Sequence, residues 1–369
     1  MAKSEETVLE IDLKALQHNF EYIKSILNKD TKVLAVVKAF AYGSQVERVA
    51  CYLQDLDVDY FAVAYTSEGV ALRDAGIKKP ILVLHPQLVN FKTLIERCLE
   101  PSLYNTKILN EFIALSSKEK QINYPVHIKF NTGLNRLGFE EEDVDSIISK
   151  LKGTRCVSVK SIFSHLAASE DLSEKEFTHQ QIKRYKSIAE VFSKKLGYQP
   201  ILHICNTSGI LNYPDAHFDM VRTGIGLYGF GNSEQEDKNF KPIATLKSVI
   251  SQIHSISKGE TVGYNRAYKS NTAVKTATIP IGHADGIGRQ YGHGKGYVVI
   301  KGKPAYIIGN VCMDMIMVDI TGIDCAEGDE VIIFGQHPYS ASEFSKTADS
   351  ISYEIITAIT SRVKRLFIT

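Results

Sequence analysis

The chain has 369 residues, with 43 basic and 42 acidic side chains and a net charge of +1. So even a balance argues against a general nucleic-acid binder and against a protein held to membranes by charge, and it points to a small-molecule partner. The length exceeds what one hydrophobic core usually organises, so two domains are expected, although a single α/β barrel can run past about 200 residues.

Taken in chain order, the run TVLEID (7–12) precedes an opening helix from Asp12, whose Leu13, Leu16, Phe20, Ile23 and Leu27 make one apolar stripe. From about residue 12 to 230, β-branched apolar runs alternate with segments of helical period, the sequence form of repeated βα units around a parallel sheet. The predicted strands are 32–39, 60–66, 80–86, 101–105, 126–132, 157–165, 200–206 and 220–226, with helices such as SEGVALRDAGI and FTHQQIKRYKSIAEVFSKKLG between them. Eight units of about 25 residues predict a (β/α)8 barrel of the TIM type rather than an open doubly wound sheet. The polar segment GNSEQEDKNFKP (231–242) breaks the pattern, and the chain then turns β-rich with Gly, Pro and Asn turns. TVGYNRAY, GYVVIKGKPAYIIGNVCMDMIMVDIT and GDEVIIFG read as strands of an antiparallel module, with one helix near ASEFSKTADSI. The fold class is thus α/β. An N-terminal barrel domain is expected over 12–237, and a mainly antiparallel β domain over 238–369, to which the N-terminal strand within 1–11 is assigned.

Cys51, Cys98, Cys156, Cys205, Cys312 and Cys325 are scattered without a CxxC pair, so neither a metal site nor a disulfide framework is predicted and a reducing cytoplasm fits. The opening MAKSEETVLEIDL lacks the apolar core of a signal peptide, and no run approaches the roughly 18 apolar residues of a spanning helix, so a soluble protein without a membrane partner is expected.

In such a barrel the functional face is the C-terminal end of the strands. Residues there are Lys38 and Tyr42 after the first strand, Lys129 and Arg136 after the fifth, His165 after the sixth, Asn206 and Thr207 after the seventh, and Arg222 with Gly224 after the eighth. Lys38 follows the apolar Ala35, Val36 and Val37; a lysine snorkelling from a strand end is the plain alternative to a chemical role. GIGLYG matches GxGxxG at Gly224, Gly226 and Gly229. A dinucleotide fingerprint belongs in a first βαβ unit with an acidic residue about 20 positions on, whereas this one follows the last strand. Loops after the seventh and eighth strands of such barrels hold phosphate with backbone N–H groups and small hydroxyls, a part that Thr207, Ser208, Gly224 and Ile225 fit. The alternative is that the glycines only turn the chain out of the barrel. A lysine facing a phosphate cradle suggests pyridoxal 5'-phosphate, which carries both an aldehyde and a phosphate and would be held as a Schiff base by Lys38.

AVVKAFAYG resembles the cofactor-lysine signature of the fold-type III enzymes. With KFNTGLNRLGF, HICNTSG, MVRTGIGLYG, VGYNRAY, IGHADG, GNVCMDMIMVD and SYEIITAITSRVKR, nearly the whole chain is similar to the alanine racemase family. The resemblance implies a cofactor-dependent isomerase that interconverts L- and D-alanine by a two-base mechanism and supplies D-alanine for the peptidoglycan of the cell wall. It makes Lys38 the cofactor lysine and one catalytic base, and Tyr264 the other. It implies that Arg222 hydrogen-bonds the pyridine nitrogen, that Tyr42, Thr207, Gly224, Ile225 and Tyr353 hold the phosphate with Asn206 beside them, and that His165 supports Arg222 and Tyr264. Arg136 and the Met313 backbone would meet the substrate carboxylate, and Lys129 matches a lysine that is often carbamylated. A homodimer with shared active sites is also implied, because the family lays the β-rich domain over the partner's barrel and so draws Tyr264 and Met313 from the second chain. Read from the residues alone, Tyr264 is one of 18 tyrosines and fits plain strand packing.

Racemisation removes a proton from one face of a planar carbon and returns one to the other, so two bases are required. Lysine and tyrosine both have ordinary pKa values near 10, and nearby cations such as Arg136 and Arg222 lower them. Departures from the family pattern are Phe40 for Asn, Ser44 and Gln45 for His-Gly, Asn131 for Asp, Lys364 for Pro, and His283 for the tyrosine that lines the substrate entrance. Rival readings are a racemase acting on serine or several amino acids, a decarboxylase of the same fold type, which normally places Glu on the pyridine nitrogen, a non-catalytic cofactor carrier of the same barrel family, which normally lacks the β domain, and a nicotinamide oxidoreductase.

Overall fold

The computed structural model describes residues 6–369, so the part of the predicted N-terminal strand that falls on residues 1–5 lies outside them. Eight parallel strands stand in the order Ile201–His203, Val157–Phe163, Tyr124–Lys129, Glu100–Leu103, Ile81–Val83, Tyr60–Val63, Lys32–Val36 and Met220–Thr223. They form a nearly closed barrel. Its two outermost members are joined by single backbone bonds, Asp219 N–H to Leu202 O and Arg222 N–H to Cys205 O, both 3.1 Å. All eight predicted strands are present, but each ends two or three residues before its predicted limit. The apolar pattern runs on past the ladder, into residues that turn out at the barrel mouth.

The opening helix, Leu13–Ser25, is capped by Asp12, whose carboxylate accepts from Ala15 N–H at 2.9 Å. Its stripe Leu13, Leu16, Phe20 and Ile23 is buried, while Leu27 falls beyond its end. On the same buried face Asn19 donates to the carbonyls of Leu227 and Lys241 and accepts from Lys241 N–H, tying the helix to the chain that leaves the barrel.

The polar segment 231–242 is not a loose tether. Its Glu236 and Asp237 are buried because Glu236 accepts from Ser208 Oγ, Asn212 and Asn232 N–H, and Asp237 accepts from Gly231 N–H. Beyond it lies a nine-stranded sheet in the order Gln252–Ile256, Val274–Ile279, Ile316–Asp319, Lys303–Ile308, Tyr297–Ile300, Glu330–Phe334, Ala244–Val249, Val8–Asp12 and Lys364–Ile368. Every pair in it is antiparallel except the last, where Val8–Asp12 lies parallel to Lys364–Ile368. Two short helices, Ala341–Lys346 and Ser352–Ala358, follow where one was expected. The second carries Tyr353 to the barrel mouth.

Candidate active site

The barrel mouth holds a cavity of about 380 Å³. Lys38, Tyr42, Lys129, Arg136, His165, Asn206, Thr207, Arg222, Gly224, Ile225 and Tyr353 all line it, so eleven of the predicted site residues converge although six separate stretches of chain supply them. Among the described residues no carboxylate lines it, whereas four of the lining residues are lysines or arginines. Such a pocket selects anionic ligand groups.

The turn after Lys38 is locally unusual. Ala39, Phe40, Ala41 and Tyr42 all have positive φ, between 50° and 57°, a left-handed turn built without glycine. Left-handed helical backbone costs about 1–2 kcal/mol per L-residue, so the surroundings must impose it. Glu68 does so in part, accepting from Ala39 N–H at 2.6 Å and, with its other oxygen, from Ala64 N–H at 2.7 Å. Gly43 (φ 82°) closes the turn against the helix that carries Tyr353, and a Cβ there would run into the carbonyl oxygen of Ile356.

This turn delivers Tyr42 to a cluster of hydroxyls and bare backbone. The Tyr42 ring stacks on Tyr228 at 4.4 Å and lies 6.0 Å from the ring of Tyr353. A Cβ on Gly224 would collide with Tyr42 Oη, so only glycine lets the phenol approach the end of the eighth strand. Thr207 Oγ1 accepts from Gly226 N–H at 3.3 Å and from Gly224 N–H at 3.4 Å. Burial raises the pKa of both phenols, that of Tyr353 to about 12, so both stay protonated as donors near neutral pH. Asn206 also borders the cavity, but its Oδ1 caps the following helix at Gly209 N–H (2.9 Å) and accepts from Ser169 Oγ (2.7 Å). Ser208 is turned away from the cavity, towards Glu236 and Asn232.

Beside this cradle stands the cationic group. Arg222 is buried and donates to the carbonyls of Ser164 and Ile204 and to Nδ1 of both His165 and His203, at 2.8–2.9 Å. Burial and then the Arg222 charge hold His165 neutral, consistent with its accepting role. Burial is also the main cause lowering Lys38, with Arg136 adding to it and Glu68 opposing. Lys129 is pushed down to about 8 by burial and then by Arg136, Arg222 and Lys38. With no carboxylate at hand, the ring of Phe163 faces two of these cations, Lys129 Nζ at 5.8 Å and Arg222 Cζ at 5.5 Å.

Lys38, a cationic cluster and a hydroxyl-lined cradle bare of Cβ at Gly224 fit the amine-binding aldehyde and the phosphate of the predicted cofactor. Three predicted residues lie elsewhere in the chain. Tyr264 and Met313 border a separate surface groove on the β-rich sheet with His254, Met315 and Met317, and His283 is exposed beside it, its N–H bonded to Cys312 O at 3.0 Å. Two aromatic lining residues escaped the sequence reading. Phe163 ends the sixth strand, and His85, between the rings of Tyr65 (5.7 Å) and Tyr104 (5.8 Å), sits just past the third; the strand-end rule that found the others would have found both.

Two family descriptions match the chain, "Alanine racemase, N-terminal domain" over residues 11–231 and "Alanine racemase, C-terminal domain" over 243–367. An alanine racemase of Thermodesulfovibrio yellowstonii is 36% identical over 366 residues, covering 97% of each chain, and alanine racemase 1 of Clostridium acetobutylicum is also 36% identical, covering 97% of this chain and 94% of that one. Among solved structures, an alanine racemase of Clostridium difficile superposes with a TM-score of 0.92 at 33% identity, covering 100% of this chain and 97% of that one. The Bacillus anthracis alanine racemase solved with bound L-Ala-P gives 0.91 at 28%, covering 100% and 96%.

Proposed function

The chain belongs to the alanine racemase family and interconverts L- and D-alanine with pyridoxal 5'-phosphate, and we propose that Lys38 and Tyr264 are its two bases. The observation that carries the assignment of roles is the cavity lined by four cations and a hydroxyl cradle without a carboxylate. Tyr42, Thr207, Gly224, Ile225 and Tyr353, bordered by Asn206, would hold the phosphate, and Arg222, supported by His165, would meet the pyridine nitrogen. When bound, the cofactor supplies an electron sink for the pair left as Cα loses its proton.

Lys38 exchanges the proton on one face of Cα. Its lowered pKa leaves more neutral amine near neutral pH than an ordinary lysine has. Arg136 orients the substrate carboxylate. Arg222, a guanidinium that donates hydrogen bonds but keeps its protons, would leave a ring nitrogen beside it unprotonated, and the cofactor would then supply a weaker electron sink. Lys129 is read as a carbamate: its pKa of about 8 provides neutral amine that adds to CO2 and releases a proton, placing an anion among the cations.

Tyr264 serves the opposite face from a second copy. The tyrosine is 71% exposed and Met313 is 58% exposed, in a groove outside the cavity of their own chain. A homodimer with shared sites accounts for this exposure, with His283 at the substrate entrance. Two domains, 12–237 and 238–369 with the N-terminal strand, fit the break between the matched segments. Among the described residues no helix is long and apolar enough to cross a membrane; a cytoplasmic enzyme supplying D-alanine for peptidoglycan is the reading we adopt.

The test is an assay of L- and D-alanine interconversion, with serine alongside, for the wild type, Lys38→Ala and Tyr264→Phe. Each variant alone should be nearly inactive. Mixed after dissociation and reassociation, they should recover activity, because a shared site in the hybrid dimer combines two intact residues. Failure of the mixture to recover while hybrids demonstrably form would place both bases in one chain.

A further inference from the structure

Below Arg222 the barrel interior is divided. One side is apolar, packed by Leu34, Ala62, Leu82 and Met220 with the ring of Tyr60. The other carries an unbroken line of buried polar side chains from strand to strand, leading down from Arg222. Arg222 Nη1 lies 2.9 Å from His203 Nδ1, His203 Nε2 lies 2.9 Å from Ser161 Oγ, Ser161 Oγ lies 2.6 Å from His127 Nδ1, and His127 Nε2 lies 2.7 Å from Glu100 Oε2. His127, Ser161 and His203 are fully buried, and Glu100 is 9% exposed. Tyr60 Oη, 3.2 Å from the same Glu100 oxygen, completes the lower end. Glu100, Asn123, Ser158, Lys160 and Tyr198 border a surface hollow at the opposite, N-terminal mouth of the barrel.

The direction of every bond in this line follows from its upper end. A guanidinium can only donate, so His203 Nδ1 accepts and the proton of this neutral ring sits on Nε2. His203 Nε2–H therefore donates to Ser161 Oγ. The Ser161 hydroxyl, having accepted there, turns its own hydrogen to His127 Nδ1, and His127 then carries its proton on Nε2 and donates to Glu100. The line ends on a carboxylate that accepts from both His127 and Tyr60. Burial and the Arg222 charge hold His203 neutral, in agreement with this order. Two further cations are near Glu100: Lys160 shares the surface hollow with it, and the Arg73 guanidinium donates to the carbonyls of Ile77, Lys79, Arg97 and Cys98.

We propose that Glu100 is a remote positioning residue of the reaction, joined to Arg222 by the relay His203, Ser161, His127, which fixes both imidazole tautomers and sets a carboxylate counter-charge against the guanidinium. The proposal rests on the reading of Arg222 as the group that faces the cofactor ring. Arg222 donates to four different acceptors, and one of these, His203, is itself held by the line that runs to the far side of the barrel. With the relay intact, Arg222 is held in one orientation by groups that lie below the substrate cavity. With it cut, His203 Nε2–H loses its acceptor, the ring is no longer fixed beneath Arg222, and the guanidinium loses its aligned counter-charge.

The test uses the holoenzyme labelled with 15N-histidine, as wild type, Glu100→Gln and Ser161→Ala. The wild type should show His203 and His127 as neutral rings protonated on Nε2 alone. In Glu100→Gln the ring nitrogens of His203 should shift although Glu100 does not touch that residue, and in Ser161→Ala the hydrogen-bonded Nε2–H signal of His203 should be lost. Each variant should lower kcat about tenfold, as removal of an outer hydrogen-bonding partner does elsewhere, with KM for alanine kept within about twofold. The double variant should be no slower than the slower single one, because both substitutions cut one line. A proton on Nδ1 of either histidine overturns the proposal, as do an unmoved His203 in Glu100→Gln and kcat losses that multiply. If the wild type fails to racemise alanine, the assigned function falls, and the histidine signals of the same samples still decide the relay.

Discussion

Arg365, in the last strand, donates to the carbonyl oxygen of Gly43 through Nε at 3.0 Å and Nη2 at 2.9 Å, and so clamps the turn that follows Lys38. The same guanidinium serves the carbonyls of Ile359, Thr360 and Val363 and lies 5.6 Å above the ring of Phe40. Arg365→Met leaves several carbonyls without a donor. A loss of about 2–3 kcal/mol in urea unfolding is expected, together with weaker cofactor binding as Tyr42 loosens. A stable variant with unchanged cofactor affinity would remove the clamp from the argument.

Two substitutions in that turn should have opposite signs. Ala39 is exposed and left-handed (φ 53°), so Ala39→Gly relieves backbone strain and is expected to be neutral to about 1 kcal/mol stabilising. In a right-handed helix the same change would cost about 1 kcal/mol. Gly43→Ala forces a Cβ against the Ile356 carbonyl and should destabilise by more than about 2 kcal/mol, with displacement of Tyr353 seen as reduced cofactor affinity. Thermal unfolding of the two variants side by side checks the sign.

Gly224→Ala separates cofactor binding from folding. Gly224 has a negative φ of −119°, outside the left-handed region, and an alanine Cβ there displaces Tyr42 Oη from the cradle. Cofactor affinity should fall about 10- to 100-fold, equivalent to about 1.4–2.8 kcal/mol, while the cofactor-free protein melts close to the wild type. Titration of the cofactor absorbance gives the first quantity and calorimetry the second.

Lys129 predicts a pH dependence of stability in the cofactor-free, carbon-dioxide-free protein. Its folded pKa of about 8 lies below the unfolded lysine value, so the unfolded chain binds more protons between the two and stability rises with pH across that window. Below about pH 8 the cost is fully present. Lys129→Met should therefore stabilise by about 2–3 kcal/mol near pH 7 and by little near pH 10.5, flattening the slope. Urea unfolding at the two pH values measures it, and an unchanged slope would mean that the amine is solvated.

The eight barrel strands are legible because their apolar runs have no helical period, and the strand-end rule gathers most of the cavity from the sequence. What escaped did so for identifiable reasons. Gln252–Ile256 is mostly exposed and Val274–Ile279 alternates polar with apolar residues, so neither has the continuous apolar run that marked the barrel strands. Nothing in AFAY announces a left-handed turn, since each of those residues ordinarily avoids positive φ; only the contacts to Glu68 and Arg365 impose it. His127 and Ser161 read as filler within strands because the reading took chemistry from strand ends. The exposure of Tyr264 became physical information only once the cavity was seen to lie apart from it.

The parallel pairing of Val8–Asp12 with Lys364–Ile368 bears on how the molecule is made. Asp12 both ends that strand and caps the first barrel helix, so no tether separates the two sheets at this point. On the ribosome the first strand emerges early and waits, one edge open, until residues 364–368 have been synthesised and its neighbour appears. Closing so long a loop is entropically slow, so this pairing should form late in folding, and deletion of residues 364–368 should leave an aggregation-prone edge rather than a shortened enzyme.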